Sequence, residues 1–416
     1  MQKFLVVEDS PLVVKVITHL AKQDGKLRFD TASTFAEAKR VIDAEGANNY
    51  LAAVVDLNLP DAPNGEVVDY TLAQGIPTII LTGSFDEQKR AQMLEKPIVD
   101  YVVKESKYSY QYVLKLVRRL DKNRSIKVLV ADDSATSRKF VTTMLRSHLY
   151  QVVEASDGLQ AIEILKQQKD IKLLITDHHM PHMTGTELVN QLRRELDKSE
   201  LIIIGLSTQG SGTLSARFIK SGANDFLAKP FSPEEFHCRI IHNIEMMEQL
   251  ELIKHAANHD FLTGLKNRRH FYEAGSELLQ QCQQSGTPVS LALLDLDHFK
   301  AVNDKYGHEV GDLVLLELSA QLVKVFDRFM IARLGGEEFA LLIAGLSIDK
   351  ANILLENFRE SIEDHIILLQ GDSLSFTFSA GLALAHDHNL NDLLNEADRQ
   401  LYEAKTAGRN VIMVAR

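Results

Sequence analysis

The segment KFLVVEDSP that begins at Lys3 returns as KVLVADDSA at Lys127, and a duplication of this kind requires two copies of one architecture in the same chain. Each copy opens with a short apolar run ending in acidic residues. Helical patterns then alternate with runs such as AAVVD, PTIILT, KLLITD and LIIIGLS. Strands alternating with helices predict a parallel sheet covered on both faces. In such sheets ligands sit beyond the carboxyl ends of the strands. The residues that follow the apolar runs are therefore the candidates: Glu8, Asp9, Asp56, Thr82 and Lys104 in the first copy, and Asp132, Asp133, Asp177, Ser207 and Lys229 in the second.

Carboxylates crowded at one strand edge are costly unless a cation neutralises them, and hard oxygen ligands suit Mg2+. Asp56 or Asp177, beside that ion, could accept a phosphoryl group as an acyl phosphate, with the lysine and the hydroxyl holding its oxygens. The pattern resembles the receiver domains of two-component response regulators over residues 1–121 and 125–245. Leu59 and Pro60 after Asp56, and Met180 and Pro181 after Asp177, match the loop of that family. Tyr101 and Phe226, each three residues before the lysine, match its aromatic switch position. The resemblance implies two CheY-like (flavodoxin-like) doubly wound α/β domains, magnesium on Glu8 and Asp9 or Asp132 and Asp133, phosphorylation at Asp56 and Asp177, and a sensor histidine kinase or phosphotransfer protein as donor. The first copy departs in having Glu8 for the first aspartate and Glu105 after Lys104, where the family usually has proline. Either copy also fits a receiver kept only as a dimerisation scaffold, and that choice stays open. His178, His179 and His182 surround the second phosphoacceptor; control of water access suits them better than transition-metal ligation.

From Ser232 to about Ala257 few breakers interrupt apolar residues at helical spacing, which predicts one long helix leaving the second copy. Residues 246–258 form its linker portion. A third region, 259–416, has a different order: helix, strand, helices, hairpin and a final strand, which predicts an α/β domain with a largely antiparallel sheet. Within it, RLGGEEFALL sets two glycines between apolar strands, the signature of a tight hairpin. Glu337 and Glu338 follow the turn and Asp295 ends LALLD; three carboxylates could hold Mg2+ against a triphosphate.

This region resembles the GGDEF family, through DFLTGLKNRR at Asp260, DLDHFKAVNDKYGHEVGD at Asp295, RLGGEEF at Arg333 and LYEAKTAGRN at Leu401. The resemblance implies a nucleotidyl-cyclase-like domain that joins two GTP into cyclic di-GMP as a homodimer, with Mg2+ as cofactor and Mn2+ as the alternative. Asp295, Glu337 and the carbonyl of Leu296 would bind the metal, and Glu337 or Glu338 would remove the hydroxyl proton. Asn303 and Asp312 would read guanine, with His308 on the same segment. Phe299, Lys300, Gly335 and Gly336 would wrap the phosphates. Lys405 and Arg409, four apart and expected on one helix face, would complement the triphosphate charge.

Composition narrows the partners. Over 416 residues, 45% hydrophobic and 25% charged, the chain can build several cores. A net charge of -11 opposes broad contact with nucleic acid or an anionic membrane. Apolar runs such as 201–204 fall far short of the ~20 residues that span a bilayer, so direct membrane insertion is not expected. The strand predicted from Lys3 follows no export-signal pattern. Cys238 and Cys282 sit far apart in sequence with no metal-ligand spacing, and a disulfide framework needs more than these two, so a reducing cytoplasm is expected. Basic residues such as Arg118 and Arg119 are expected on a solvated helix face.

Many GGDEF domains carry an Arg-x-x-Asp pair before the turn, where bound cyclic di-GMP locks the domains apart. Here Phe326 and Phe329 occupy those positions. A phenyl ring offers neither the planar fork of donors nor the positive charge of arginine. Progress curves read by pyrophosphate release are therefore expected to show no inhibition by added cyclic di-GMP through this site. Inhibition at low micromolar product, competed by no active-site ligand, would contradict the expectation of an uninhibited enzyme.

Overall fold

Two parallel five-stranded sheets follow directly from the repeat. In the computed structural model, which describes residues 3–25, 27–83, 86–208, 212–369, 372–385 and 389–415, the first sheet contains β1 (Lys3–Val7), β2 (Arg28–Ala32), β3 (Tyr50–Val55), β4 (Thr78–Thr82) and β5 (Asp100–Val103). The second contains β6 (Lys127–Ala131), β7 (Gln151–Ala155), β8 (Ile171–Asp177), β9 (Ile202–Ser207) and β10 (Asp225–Ala228). Their orders, β2-β1-β3-β4-β5 and β10-β9-β8-β6-β7, are the same order read from opposite edges, and it is the flavodoxin-like one. Central strands are apolar throughout because helices cover both faces. In β1, Phe4 and Val6 enter one core while Leu5 and Val7 enter the other. Each such side chain contributes about 1.5–3 kcal/mol by leaving water.

Residues 1–248 and 249–416 form two compact units. Inside the first unit the two copies are fastened together. The helix Lys107–Asn123 of the first copy runs beside the helix Pro233–Asn258 that follows the second. Lys115 meets Glu245 at 2.8 Å, and Glu248 takes both Arg119 at 2.8 Å and Lys122 at 3.2 Å. Arg90 pairs with Glu234. Arg119 is thus buried rather than on a solvated face: Glu248 and the Asn123 amide, whose Oδ1 accepts from Nε at 2.8 Å, give its guanidinium partners. Asn123 in turn donates to the His148 carbonyl at 2.9 Å.

His148 and His237 stack in this contact with ring centroids 3.5 Å apart, and Nε2 of His148 lies 2.8 Å from the Val99 carbonyl. Burial pulls His148 down to about 4, with the Val99 hydrogen bond acting the other way. Burial, and then His148 itself, hold His237 well below the ordinary histidine range.

The second unit has a mixed sheet built from β11 (Lys266–Asn267), β12 (Val289–Leu296), β13 (Met330–Gly335), β14 (Glu338–Ala344), β17 (Phe378–Leu384) and β18 (Ile412–Ala415), with β15 (Ile366–Leu369) and β16 (Asp372–Ser375) as a separate pair. The order is β11-β13-β14-β12-β17-β18. The β12–β14, β12–β17 and β13–β14 pairs are antiparallel; β11–β13 and β17–β18 are parallel. The helix Leu390–Thr406 lies so close over β17 that a Cβ on Gly381 would stand 2.0 Å from the Ala397 carbonyl oxygen. Glycine there lets the helix end reach the sheet edge. Among the described residues no helix is long and apolar enough to cross a membrane.

The buried histidines carry a pH dependence with a definite sign. An unfolded histidine titrates near ~6.5, so both rings take up protons more readily when unfolded. Their contribution is complete above that value and is lost as pH falls toward about 4. Urea midpoints of the chain should therefore fall between neutral pH and pH ~5, and His237→Phe should flatten that fall. Equal slopes for the two proteins would contradict it.

Candidate functional site

Parallel pairing of β1 with β3, Val7 opposite Val55, brings the residues after both strands to one edge. Ligand oxygens of Glu8, Asp9 and Asp56 lie within 4.8 Å of one another, and among the described residues this is the one such trio. Lys104 reaches back from β5, 2.5 Å from Asp56 and 2.7 Å from Glu8. Burial pushes Glu8 above the usual carboxylate range against the pull of Lys104. Burial acts downward on Lys104, but its bonds to Asp56 and Glu8 prevail and raise it. Three hard oxygen donors at this spacing fit Mg2+. Thr82 and Tyr101 are buried, and the Lys104 amide donates to the Thr82 carbonyl at 2.8 Å.

The second copy repeats the arrangement with an addition. Lys229 lies 2.6 Å from Asp177 and 2.9 Å from Asp132, and also donates to Ser137 Oγ at 2.8 Å. Ser137 donates to Asp132 at 2.6 Å. The serine sits in the first turn of the helix Ala135–Ser147, and its signal in ADDSATS is only a hydroxyl one turn beyond the acid pair. Asp133 is exposed. Ser207 is buried; Phe226 is half-buried, its ring 5.5 Å from that of Phe218. His178 packs on His179 and Phe218, and burial, then His179 and Arg217, lower its pKa. His182 is exposed.

In the second unit the β13–β14 turn carries Gly335 at φ 146° and Gly336 at φ 53°, values that favour glycine. Arg333 fixes the turn: Nε and Nη2 donate to the Gly336 carbonyl at 2.9 and 2.7 Å, and Nη1 meets Asp260 at 2.9 Å. Burial would raise Asp260, yet Thr263 and Arg333 outweigh it and hold it low. Neither Arg333 nor Asp260 stood out in the sequence as more than a flanking letter of its motif.

Asp295 on β12 faces Glu338 on β14 in register, and the Leu296 amide donates to the Glu337 carbonyl at 3.4 Å. Asp295 is buried, Glu337 half-buried and Glu338 exposed. Lys405 reaches Asp295 at 2.8 Å. Burial pushes Asp295 up, Lys405 pulls it down, and Glu337 and Glu338 push it up again, leaving it above the usual range. Asp295, Glu337 and Glu338 are not gathered as tightly as Glu8, Asp9 and Asp56, and a divalent cation shared among them would draw them together.

The guanine candidates and the phosphate candidates Phe299 and Lys300 lie on adjacent helices, Phe299–Tyr306 and His308–Phe326. They approach so closely that a Cβ on Gly311 would stand 1.9 Å from Asn303 Oδ1. Asn303 and Phe299 are half-buried there, while Lys300, His308 and Asp312 are exposed. A cavity of about 190 Å³ opens beside Glu338, lined by Arg268, Leu294, Leu334 and Asp398 among others; Asn303 and Asp312 do not line it. Arg409 does not share a helix face with Lys405. The helix ends at Thr406, and Gly408, Arg409 and Asn410 turn away at φ 118°, 66° and 50°. The Phe326 side chain is fully buried in the core, and Phe329 packs against that core under the Arg328 guanidinium.

Residues 257–411 match the family described as diguanylate cyclase, GGDEF domain, and residues 128–241 match the response regulator receiver domain. Response regulator PleD of Caulobacter vibrioides is 27% identical over 69% of the chain and 65% of its own length. Diguanylate cyclase DgcM of Escherichia coli is 38% identical over 42% of the chain. The chain spans 65% of the first relative's length and 43% of the second's. A solved structure described as a two-component system response regulator/GGDEF domain protein is 43% identical, with a TM-score of 0.55, covering 60% of the chain and all of that structure.

Proposed function

The chain belongs to the response regulators that carry a GGDEF domain, and from that membership and the hairpin edge we propose that it condenses two GTP molecules into cyclic di-GMP and two pyrophosphates. The observation that supports this most is the undamaged edge itself: buried Asp295 opposite Glu338 across the two-glycine turn, with Lys405 in reach. Asp295, Glu337 and the Leu296 carbonyl would hold Mg2+, or Mn2+ in its place, which neutralises triphosphate charge. Glu337 or Glu338 takes the proton from a 3'-hydroxyl as that oxygen bonds to the α-phosphorus of the facing GTP. The bond from that phosphorus to pyrophosphate breaks, and the step repeats to close the ring. Asn303 and Asp312 bond the guanine edge, a polar reading that an apolar pocket cannot make. The backbone of Gly335 and Gly336, with Phe299 and Lys300, borders the phosphates, and His308 lies on the segment that carries the guanine readers. Lys405 and Arg409 carry their charge.

Each domain holds one GTP, so two chains must face each other, and positioning does most of the work. Control falls to the receivers, residues 1–121 and 125–245, acting through the linker 246–258 on the cyclase domain 259–416. A sensor histidine kinase or phosphotransfer protein phosphorylates Asp56 or Asp177, with Mg2+ on Glu8 and Asp9 or on Asp132 and Asp133. Thr82 and Lys104, or Ser207 and Lys229, hold the phosphoryl oxygens, and Tyr101 or Phe226 follows. Both cysteines are free thiols, in keeping with a reducing cytoplasm.

Incubation of the purified chain with GTP and Mg2+, followed by separation of the nucleotides, tests the reading. Wild type is expected to yield cyclic di-GMP, while Asp295→Asn and Glu338→Gln lose at least about 100-fold in rate, the scale of a lost transition-state contact, and keep the fold. Near wild-type turnover in either variant would show the carboxylates to be misassigned.

A further inference from the structure

Asp297 is a buried carboxylate, two residues beyond Asp295, that neither metal binding nor proton transfer uses. Three donors from two parts of the second unit, the start of β17 and the turn after the last helix, converge on it. Thr377 donates to Oδ2 at 2.8 Å, Ser379 of β17 to Oδ1 at 2.7 Å, and the Asn410 amide to Oδ2 at 3.0 Å. The Asn410 amide is also 3.1 Å from Ser379 Oγ, and the Asp297 amide itself donates to the Thr377 carbonyl at 2.9 Å. A carboxylate taken out of water without a counter-cation needs such donors, since each bond to a charged acceptor is among the stronger ones a protein makes.

The donor on Asn410 matters most because of where it sits. The segment after the helix Leu390–Thr406 passes through three consecutive left-handed residues, Gly408, Arg409 and Asn410. Two of these are not glycine, a conformation that costs energy unless neighbours hold it. The helix and the segment after it each touch the end of β12: Lys405 in the last turn of the helix meets Asp295, and the Asn410 amide beyond it donates to Asp297. The first contact is exchangeable, since Lys405 is partly exposed and can transfer to a phosphate. The second is enclosed. We infer that Asp297 is a positioning residue: it clamps the 408–410 turn, and with it the end of the helix that carries Lys405, to the end of β12, so that Lys405 stays beside the hairpin edge when it leaves Asp295. This rests on the reading that the hairpin edge binds GTP.

The test measures binding of 3'-deoxy-GTP with Mg2+, by calorimetry on the full chain, beside cyclic di-GMP formation from GTP. The probe lacks the attacking hydroxyl, so affinity is read apart from turnover. Asp297→Asn is expected to weaken binding about tenfold, the effect of one lost bond to a charged group, and Ser379→Ala to weaken it less. Asn410→Gly keeps the amide and accommodates a positive φ while giving up the bond that Arg359 donates to Asn410 Oδ1 at 3.1 Å, so it should weaken binding clearly less than Asp297→Asn does. In turnover, Asp297→Asn should raise KM with kcat largely kept, a split that mere loss of folded protein does not produce. Unchanged affinity in Asp297→Asn, or a loss in Asn410→Gly as large as in Asp297→Asn, overturns the inference. Should Asp297→Asn fail to fold, Ser379→Ala decides: weaker binding supports the clamp and unchanged binding refutes it. If the variants weaken binding but wild type makes no cyclic di-GMP, the clamp stands and the cyclase reading falls. If wild type does not bind the probe, both fall.

Discussion

A lysine holding buried carboxylates at a strand end is the interaction on which all three sites depend. Lys104 holds Glu8 and Asp56, Lys229 holds Asp132 and Asp177, and Lys405 holds Asp295. Removing an ionised group from water costs several kcal/mol even after relaxation, roughly and per ion, so the acids could not gather at these edges alone. The same pairs make the sites responsive. On the proposed function, a phosphoryl group on Asp56 or a triphosphate near Asp295 would compete for the lysine, and the lysine's move would report that charge to the element that carries it. Lys104 follows β5, whose edge lies beside the second copy; Lys405 ends the helix that Gly381 admits against the sheet.

Register places those charges. Because β1 pairs with β3 in parallel, and β6 with β8, the acid pair of each copy finishes at one level of the sheet with Asp56 in the first and Asp177 in the second. Antiparallel pairing does the equivalent in the second unit, setting Asp295 opposite Glu338. The fastening between the two copies is of another kind. There Glu245 and Glu248, on the long helix, are gripped by Lys115, Arg119 and Lys122, which gives the first copy a mechanical hold on the helix that leads out of the second.

Much of this was legible in the residues because strand ends and turns are local events. The repeat at Lys3 and Lys127 predicts both sheets, and the glycines at 335 and 336 predict the hairpin at its observed place. What escaped depends on partners distant in sequence. Arg119 looks solvated until Glu248 is brought to it from more than a hundred residues away. The spacing of Lys405 and Arg409 suggests one helix face, yet Gly408 between them ends the helix, a signal that was present and outweighed by the interval of four. Ser137, Asp260, Arg333 and Asp297 are polar letters within recognised motifs, and only their contacts distinguish them from neighbours such as Asp304 or Lys305, which lie on the surface.

The central claim is that charge arriving at the receiver aspartates controls cyclisation at the hairpin edge of the second unit. Its most direct test compares the initial rate of cyclic di-GMP formation by the full chain with and without beryllofluoride and Mg2+, in wild type and in the Asp56→Asn, Asp177→Asn double variant. The account predicts a faster rate in wild type, steeper with protein concentration, and no response in the double variant. A double variant that responds as strongly as wild type would contradict it.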